Sequence, residues 1–550
     1  MEHQFIMGRS MTELGANPDS TMQDLMNLLG GADISQVLGL GVSMPLTFAY
    51  DAMPDPPVSP AARLASAAAR RAPADGVDRI SRLPDQILRD VVSRLPAKDA
   101  ARTGALASRW RGLWRTAPLV LVDEHVLPKR VAAKRVTPGG DDASSKAAVA
   151  AASSVLAAHP GPFRCVHITR GHMASHQAEI ERWLKLLAAK GVQELAFINR
   201  PWPCDVPLPA TLFSCGASLT RLHLGAWSLP DTRSLPRAAG FPHLRDLMLS
   251  MIVIQDRDLN SLLDRSPVLE NLTIISTQTE LRLRLVSRNL RCVQLGMCPL
   301  DEVVVVDAPR LERLLLWMIV SDDKCPARIK IGHAPNLRVL GYWQPGDLQL
   351  GIASTIIKAS TRVSPSTIIP TVRILALEVQ FEVHDDVKMM PCFLNCFPNV
   401  ETIHVHSLDA DKPTGQLNLN FWQEAGQIEC VQRHVKRFVI HEFRGTKSEI
   451  TFLQFIAERA QALEKMVVMV ASQCYTTAQD VKAKLKPLTC AEWANKGIRL
   501  TIFKSPSSDG ASPTWNFRMA SDFSPSDPFD FLTADAELMR GASTLRLKAL

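Results

Sequence analysis

A short phrase of apolar residues returns twelve times along this chain of 550 residues. It reads apolar, two variable residues, apolar, one variable residue, apolar. The clearest copies are LTRLHL at 219–224, LRDLML at 244–249, LENLTI at 269–274 and LERLLL at 311–316, and weaker ones begin at Phe163, Val192, Leu290, Leu337, Val372, Val400, Val435 and Leu463. Most copies start 21–29 residues apart, and two intervals of 35 indicate loop insertions. Because one such unit cannot bury its apolar face alone, the repeats predict a solenoid that binds another macromolecule along its length.

Each phrase predicts one strand with two different faces. Side chains alternate across a strand, so the fourth and sixth residues point into the stack, and the third, fifth and seventh point to the open concave side. Trp317 and Trp343 share the seventh position of neighbouring repeats and are predicted to stand side by side there. Since interface energy concentrates in Trp and Arg, the concave face is the candidate target-binding site, represented by Arg221, His223, Arg313, Trp317 and Trp343. Burial of the tryptophans against adjacent loops is the alternative.

Composition agrees with a long aliphatic core, because 46% of residues are hydrophobic while only 6% are aromatic.

The charge is unevenly distributed along the chain. Residues 61–135 hold 16 Lys and Arg against 7 Asp and Glu, an excess of +9, which leaves −2 for the remainder of a chain whose total is +7. A basic excess confined to one small region favours a local acidic partner over a nucleic-acid groove along the solenoid.

The 11 cysteines show no paired spacing, which is typical of free thiols in a reducing compartment. Cys392 and Cys396 followed by His404 and His406 match no standard zinc spacing, so no metal site and no cofactor are predicted. The start lacks a secretory pattern, and the longest apolar stretch, 38–50, is too short to span a bilayer. We therefore expect an intracellular protein of the cytoplasm or nucleus, with no membrane partner.

The sequence divides into six predicted regions. Residues 1–76 are biased towards proline and alanine and read as mostly disordered. A compact helical module spans 77–118, and a linker with an Ala-rich helix spans 119–162. Repeats are predicted over 163–430, the end of the solenoid over 431–505 with a last strand at 498–503, and a frayed tail over 506–550.

The helical module carries a predicted apolar stripe. Pro84 can begin a helix, Pro96 ends it, and between them apolar residues recur at helical spacing at Ile87, Leu88, Val91, Val92 and Leu95. Leu106, Trp110, Leu113 and Trp114 mark a third helix. About forty residues make a poor independent core, so this apolar surface needs either the solenoid or a partner, and composition alone leaves both open.

The sequence of this module resembles that of the plant F-box. LPDQILRDVVSRLP followed by KDAARTGALASRWRGLW has its LPD, helix, LP, D-A turn and S-R-W-R-x-L-W order, with Gly104 and Ala105 as a mild departure. The repeats are similar to leucine-rich repeats of the irregular plant form, and the stretch from Val431 to about 470 resembles the FBD module of the same plant proteins. The resemblance implies that the module docks a Skp-family adaptor, and through it cullin and RING subunits, by Leu83, Pro84, Ile87, Leu88, Val91, Leu95, Leu106 and Trp110.

We therefore predict an α/β fold: a small three-helix F-box module followed by an irregular leucine-rich-repeat solenoid, a horseshoe. The predicted role is the non-catalytic substrate-recognition subunit of a ubiquitin ligase, with an unknown protein target and no nucleic acid. A scaffold that binds the adaptor without delivering a substrate is one alternative. An enzyme or nucleic-acid protein in which these helices are ordinary packing is the other, although no catalytic set such as GxSxG, a P-loop or HExxH occurs.

Overall fold

A computed structural model describes residues 45–58, 79–127, 142–200, 205–236, 238–321, 326–359, 361–362, 364–410, 413–414, 421–424, 426–474, 477–505, 516–530 and 545–548. These residues fall into two compact units, with the boundary between Thr279 and Glu280. We call them the N-terminal unit and the C-terminal unit.

The helices of the N-terminal unit begin ahead of the predicted module. They are α1 (45–52), α2 (Asp85–Ser93), α3 (Ala97–Thr103), α4 (Ser108–Thr116), α5 (Asp123–Val126), α6 (Asp142–Ala158), α7 (Gln177–Ala189) and α8 (Asp256–Asp264), with 3-10 turns at Ile80–Arg82, Ala210–Cys215 and Thr232–Ser234. The helix α6 is the predicted Ala-rich helix. The three helices expected in the module are α2, α3 and α4.

Six parallel strands of the N-terminal unit pair in chain order. They are β1 (Leu119–Val122), β2 (Phe163–Ile168), β3 (Glu194–Ile198), β4 (Arg221–Gly225), β5 (Asp246–Ser250) and β6 (Asn271–Ile275). Leu222 and Leu224 of β4 have no exposed surface, as the inward fourth and sixth positions require. Neighbouring repeats therefore share one aliphatic core.

The C-terminal unit has two sheets, and the remaining phrases lie on strands of the first. One sheet contains parallel strands in the order β8 (Cys292–Gly296), β10 (Arg313–Trp317), β12 (Val339–Trp343), β15 (Ile374–Val379), β16 (Thr402–Ser407), β17 (Arg437–Phe443), β18 (Lys465–Val470) and β19 (Arg499–Lys504), and antiparallel β20 (Leu545–Lys548) closes it. All twelve phrases thus lie on strands of the two units, which confirms the mixed α/β, strand-rich repeat region that the sequence predicts.

A second sheet in this unit occupies the segments between phrases. Its strands are β7 (Leu281–Val286), β9 (Leu300–Asp307), β11 (Ala327–His333), β13 (Leu348–Ile352) and antiparallel β14 (Thr355–Ile356). In β7, Leu281, Leu283 and Leu285 are buried and alternate with exposed residues. β7 and β9 lie in the two intervals of 21 residues, while β11 and β13 lie in intervals of 26 and 35, so these repeats return by a strand whatever the length of the interval.

The remaining helices of the C-terminal unit lie in the intervals after β15, β16 and β17 and beyond the last phrase. They are α9 (His384–Asn395), α10 (Phe421–Glu424), α11 (Glu429–Arg433), α12 (Lys447–Arg459), α13 (Ala478–Lys484), α14 (Lys486–Thr489) and α15 (Phe517–Ser521), with 3-10 turns at Pro365–Thr367 and Ser472–Cys474. The intervals of 35 residues precede β15 and β17, where the sequence indicates insertions.

Three predicted boundaries need correction. Residues 119–122 are strand β1, so the stack begins one strand before Phe163. Part of the predicted disordered extension is packed, because Val58 is buried in a cluster with Val120, Val122 and Cys165. Part of the predicted frayed tail is also ordered, since 516–530 includes α15 and buried Phe529. Local composition favoured disorder in both places, but long-range apolar contacts override it. The rest of 1–76 lies largely outside the described residues.

Candidate functional site

Arg109 of α4 fixes the chain that leads into α2. Its Nη1 donates to the carbonyl of Ser81, its Nη2 to the carbonyl of Leu83 at 2.8 Å, and its Nε to a carboxylate oxygen of Asp85 at 2.9 Å. The adjacent Trp110 donates from its indole Nε1 to the Ser81 hydroxyl at 2.9 Å. The arginine fork and the indole therefore hold the Leu-Pro-Asp turn in one conformation.

This turn and helix α2 present an apolar stripe to solvent. We define the apolar stripe as Ile80, Leu83, Ile87 and Val91, whose exposed fractions are 59%, 36%, 48% and 38%. Ile87 and Val91 are one helical turn apart and share a face. Pro84 is also exposed, and Leu106, in the turn between α3 and α4, is 68% exposed. These side chains form an exposed apolar patch on a braced backbone, and exposed apolar patches are typical of protein interaction sites.

Two of the eight predicted adaptor-binding residues are buried inside the module, and a third is partly covered. Leu88 is fully buried and Trp110 is 4% exposed, so both belong to the core of the module, and Leu95 is half-buried. Helix α2 is apolar on two faces, with Leu88 and Val92 turned inward and Ile87 and Val91 outward. The hydrophobic pattern could not separate these faces. Leu88 and Trp110 are therefore corrected to structural residues.

The module is joined to the first strand of the same unit. Pro96 forms a parallel bridge with Val120, and the Leu119 N–H donates to the carbonyl of Pro162 at 3.1 Å. The Trp114 ring packs against His159 with centroids 5.5 Å apart. The solenoid thus covers one side of the module and leaves the apolar stripe uncovered.

On the outward strand face of the N-terminal unit, the predicted residues are mostly engaged. Arg221 donates to Glu194 at 3.0 Å and lies 3.6 Å from Asp246, with its side chain 33% exposed. His223 is 6% exposed and in register with Ala196 and Met248. Arg221 is partly accessible to a ligand, but the prediction that His223 faces solvent is wrong, because its in-register neighbours pack beside it.

In the C-terminal unit, the chain itself covers this face. We define the tail segment as residues 516–530. Arg313 points outward as predicted, yet it is only 4% exposed, because its guanidinium donates to the main-chain oxygens of Met519, Ala520, Asp522 and Pro525 at 2.7–3.3 Å. Trp317 is 6% exposed and packs edge-on against Phe517 with ring centroids 6.0 Å apart. Neither residue is an open anchor, which corrects the prediction.

Trp343 lies on the opposite side of the sheet from the one expected. The register of β12 against β15 shifts between Leu340 and Trp343, so Trp343 pairs with Leu377 at an inward position. Its ring packs on Phe393 of α9 at 5.1 Å, and it is 1% exposed. One extra residue reverses the side of every later side chain. The prediction that Trp317 and Trp343 stand side by side is therefore wrong.

Comparisons with known proteins give a domain to each of these regions. Residues 80–121 match the F-box domain, residues 180–405 match the LRR repeats of the FBD-associated F-box protein At5g56370, and residues 423–468 match FBD. This chain contains an F-box, leucine-rich repeats and an FBD domain. The resemblance predicted from the sequence is confirmed, with the F-box at 80–121 in place of 77–118.

Relatives in Arabidopsis thaliana share this domain set. The chain is 27% identical to F-box/FBD/LRR-repeat protein At1g78750 over 440 residues, which cover 71% of this chain and 90% of the relative. It is 24% identical to F-box/FBD/LRR-repeat protein At1g13570 over 403 residues, which cover 71% of this chain and 91% of the relative.

F-box domains generally bind Skp-family adaptors, and F-box/LRR proteins are generally non-catalytic adaptors. The domain pair suggests a substrate adaptor of the SCF type.

The FBD region is organised by a helix cap. Glu449 of α12 is fully buried and accepts hydrogen bonds from the main-chain N–H of Thr446 at 2.8 Å and of Arg444 at 3.1 Å. The Glu449 N–H in turn donates to the Thr446 hydroxyl oxygen, which completes a capping box. Gly445 turns the chain between them at φ +82°. Phe443, Arg444 and Gly445 thus form the turn that leads into α12.

Two acidic side chains of the tail segment contact His404 of β16 and Arg437 of β17. Asp527 lies 3.0 Å from His404 Nε2 and 3.9 Å from Arg437, and Asp530 pairs with Arg437 at 2.5 Å. Burial alone would raise the pKa of Asp527, but His404, the Phe529 N–H and Arg437 together hold it below its ordinary value. Burial, with the charge of Cys292 and nearby acids opposing it, lowers the pKa of Arg313.

No three His, Cys, Asp or Glu side chains within the described ranges come together as metal ligands would. Cys392 donates to the carbonyl of Thr361 at 3.2 Å and Cys396 to the carbonyl of Cys392 at 3.3 Å, as buried helical thiols do. In the part of the chain that the structure describes, every helix is too short or too polar to cross a membrane.

Several functional contacts escaped the sequence reasoning. Arg109 could have been inferred, because it stands in the Ser-Arg-Trp motif opposite the Asp of Leu-Pro-Asp. Phe517, Phe523, Asp527 and Phe529 could not, since they lie in a Ser- and Pro-rich stretch outside any repeat. The one available signal was the spacing of the three phenylalanines, six residues apart.

Proposed function

We propose that this chain is the substrate-recognition subunit of a Skp–cullin–F-box ubiquitin ligase. The F-box would dock a Skp-family adaptor, and through it the cullin and RING subunits, while the repeat strands bind a protein target. The observation that supports this most directly is the apolar stripe, exposed on a turn that Arg109 and Trp110 brace. An intracellular site of action follows from this role.

The proposed mechanism is positional. The F-box ties the chain to the ligase, and the repeats hold the target near the ubiquitin-conjugating enzyme. Tethering two reactants raises their effective concentration to the order of millimolar, so no side chain of this protein needs to make or break a bond. Because F-box and strands β1 to β6 belong to one unit and Pro96 bridges Val120, a target bound to the N-terminal unit would keep a fixed distance from the adaptor.

Co-purification with a Skp-family adaptor tests the first half of the proposal. The full chain should retain the adaptor, and Leu83→Ala with Pro84→Ala should lose it while the melting temperature stays unchanged, because both side chains are exposed. Each buried leucine contributes about 1.5–3 kcal/mol, enough for a tenfold loss of affinity. Val286→Ala, at a 48% exposed aliphatic residue of β7, is the matched control and should bind normally. Full retention by the folded double variant would contradict adaptor docking.

A second candidate function is an adaptor-binding scaffold that delivers no substrate. The tail segment favours it, because Phe517 and Phe529 already occupy part of the strand face on which a target would sit. The two functions differ in cells. If the chain is a substrate receptor, mutating its F-box should lengthen the half-life of at least one protein that co-purifies with the repeats and reduce the ubiquitination of that protein. A scaffold should change neither.

A further inference from the structure

The tail segment crosses the outward face of β8, β10, β12, β16 and β17 as a ligand would. Within 516–530 no residue is in a strand, and the regular structure is limited to the five-residue helix α15. The bonds to the sheet come from side chains, as when Gln294 Nε2 donates to the Phe517 carbonyl at 3.1 Å and Cys292 Sγ to the Ala520 carbonyl at 3.4 Å. The segment is therefore not a further rung of the solenoid.

Three phenylalanines anchor the tail segment at intervals of six residues. Phe517 packs on Trp317, and a Cβ on Gly296 would lie 2.7 Å from its ring, so a glycine is required beneath it. Phe529 is 1% exposed and contacts the rings of Tyr342 at 5.0 Å and His404 at 5.4 Å. Between them Phe523 lies under the guanidinium of Arg291, 3.7 Å from the ring centroid. We define the groove as the surface beneath the tail segment, formed by Arg291, Gly296, Arg313, Trp317, Tyr342, His404 and Arg437. It has two aromatic sockets and a cation–π site between them.

Arg313, His404 and Arg437 of the groove bind the main chain and the acidic residues of the tail segment. Arg313 donates to four main-chain carbonyl oxygens of the tail segment, so it recognises the path of the backbone and not a side chain. His404 and Arg437 then select acidic groups at Asp527 and Asp530, on either side of Phe529. The chemistry that this groove recognises is a peptide segment with aromatic residues six positions apart and acidic residues near its C-terminal end.

We propose that this groove is a binding site for acidic, phenylalanine-bearing segments of a target protein, and that the tail segment occupies it in cis. This rests on the proposed function in its second half, target binding. A target segment of the same chemistry enters only by exchange with residues 516–530. Because a tethered competitor acts at an effective concentration on the order of millimolar, the tail segment weakens binding in trans by tenfold or more.

The test uses the full chain and a fluorescein-labelled synthetic peptide of residues 516–530. Phe517→Ala, Phe523→Ala and Phe529→Ala together release the tail segment and leave the groove intact. Fluorescence anisotropy should then show at least tenfold tighter binding of the peptide than to the wild type. Adding Arg313→Ala and Arg437→Ala should abolish that binding. A peptide with Asp527→Asn and Phe529→Ala is the matched control and should bind at least tenfold more weakly.

A triple variant that melts like the wild type but binds the peptide no more tightly would overturn the proposal, since the tail segment would then be a fixed part of the fold. If the triple variant unfolds, protease sites placed in 506–515 and 531–544 allow cleavage after folding. The labelled peptide in excess should then replace the cleaved segment, and failure to exchange overturns the proposal equally. Adaptor co-purification is measured on the same samples, so loss of adaptor docking and loss of peptide exchange are separate results.

Discussion

Arg313 donates a hydrogen bond of 2.7 Å to the carbonyl oxygen of Asp522, although 209 residues separate the two in sequence. The bond joins the third position of a repeat strand to a segment that belongs to no repeat. It is one of four carbonyl contacts made by the same guanidinium. Because a buried guanidinium without acceptors is costly, Arg313 and the tail segment stabilise each other.

Replacing Arg313 by lysine should loosen the tail segment while keeping the positive charge. An ammonium group cannot supply the planar fork that reaches both Asp522 and Pro525, so we expect a loss of about 1–3 kcal/mol in tail docking. Limited tryptic cleavage after Arg518 should become faster by tenfold or more. Arg310→Lys, at an exposed arginine bonded to Asn289, is the control and should be cleaved like the wild type. Unchanged cleavage of Arg313→Lys would show that the fork is not what holds the segment.

Ile87 and Leu88 are neighbours on α2 with opposite expected effects. Ile87 is 48% exposed, so Ile87→Ala should raise the dissociation constant for a Skp-family adaptor at least tenfold and leave the melting temperature unchanged. Leu88 is fully buried, so Leu88→Ala should destabilise the F-box by about 2–5 kcal/mol. Calorimetric titration and thermal melting distinguish the two. Equal effects of the two substitutions on both measurements would contradict the division into two faces.

Ala226 directly follows β4 in the left-handed region at φ 57°, and its N–H donates to the Ser250 carbonyl at 2.8 Å. Met251, Met297 and Met318 take the same conformation at the eighth position of their repeats. Ala226→Gly should change stability by less than about 1 kcal/mol, since relief of strain offsets the entropy of glycine. Ala226→Val should lower the melting temperature by several degrees, at about 2–4 °C per kcal/mol. Similar melting of both variants would show that the turn is not under conformational constraint.

His167 of β2 should make the protein less stable in mild acid. Burial first, then the charges of Arg221 and His125, lowers its pKa from 6.5 to about 4. The unfolded chain takes up a proton below about pH 6.5 that the folded chain resists, so stability is lost as pH falls from 6.5 towards 4. The slope is about 1.4 kcal/mol per pH unit for this group. Melting temperatures at pH 7.5, 6.5 and 5.5 should fall less steeply for His167→Gln than for the wild type. The control is His243→Gln, at an exposed site, which should follow the wild type. Parallel slopes for all three proteins would contradict the assignment to His167.

Much of the architecture was predictable because it is local and periodic. The alternation in LTRLHL places Leu222 and Leu224 inward on β4 from the sequence alone, and IRLTIF marks β19. The second sheet was not predicted, since β9 and β11 carry no copy of the phrase. The hydrophobic pattern also could not predict which apolar residues of α2 are exposed and which are buried, because both Ile87 and Leu88 fit a helical apolar face.

The sequence by itself determined the F-box and the twelve strands that carry the repeated phrase, because residue periodicity and proline act over a few positions. Only the tertiary structure decided which of those side chains meet water. Arg313 and Trp317 point outward as their register requires, yet the tail segment covers them. Trp343 turns inward through a single register shift. Both outcomes depend on contacts between residues far apart in the chain, and pattern along one strand carries no information about such contacts.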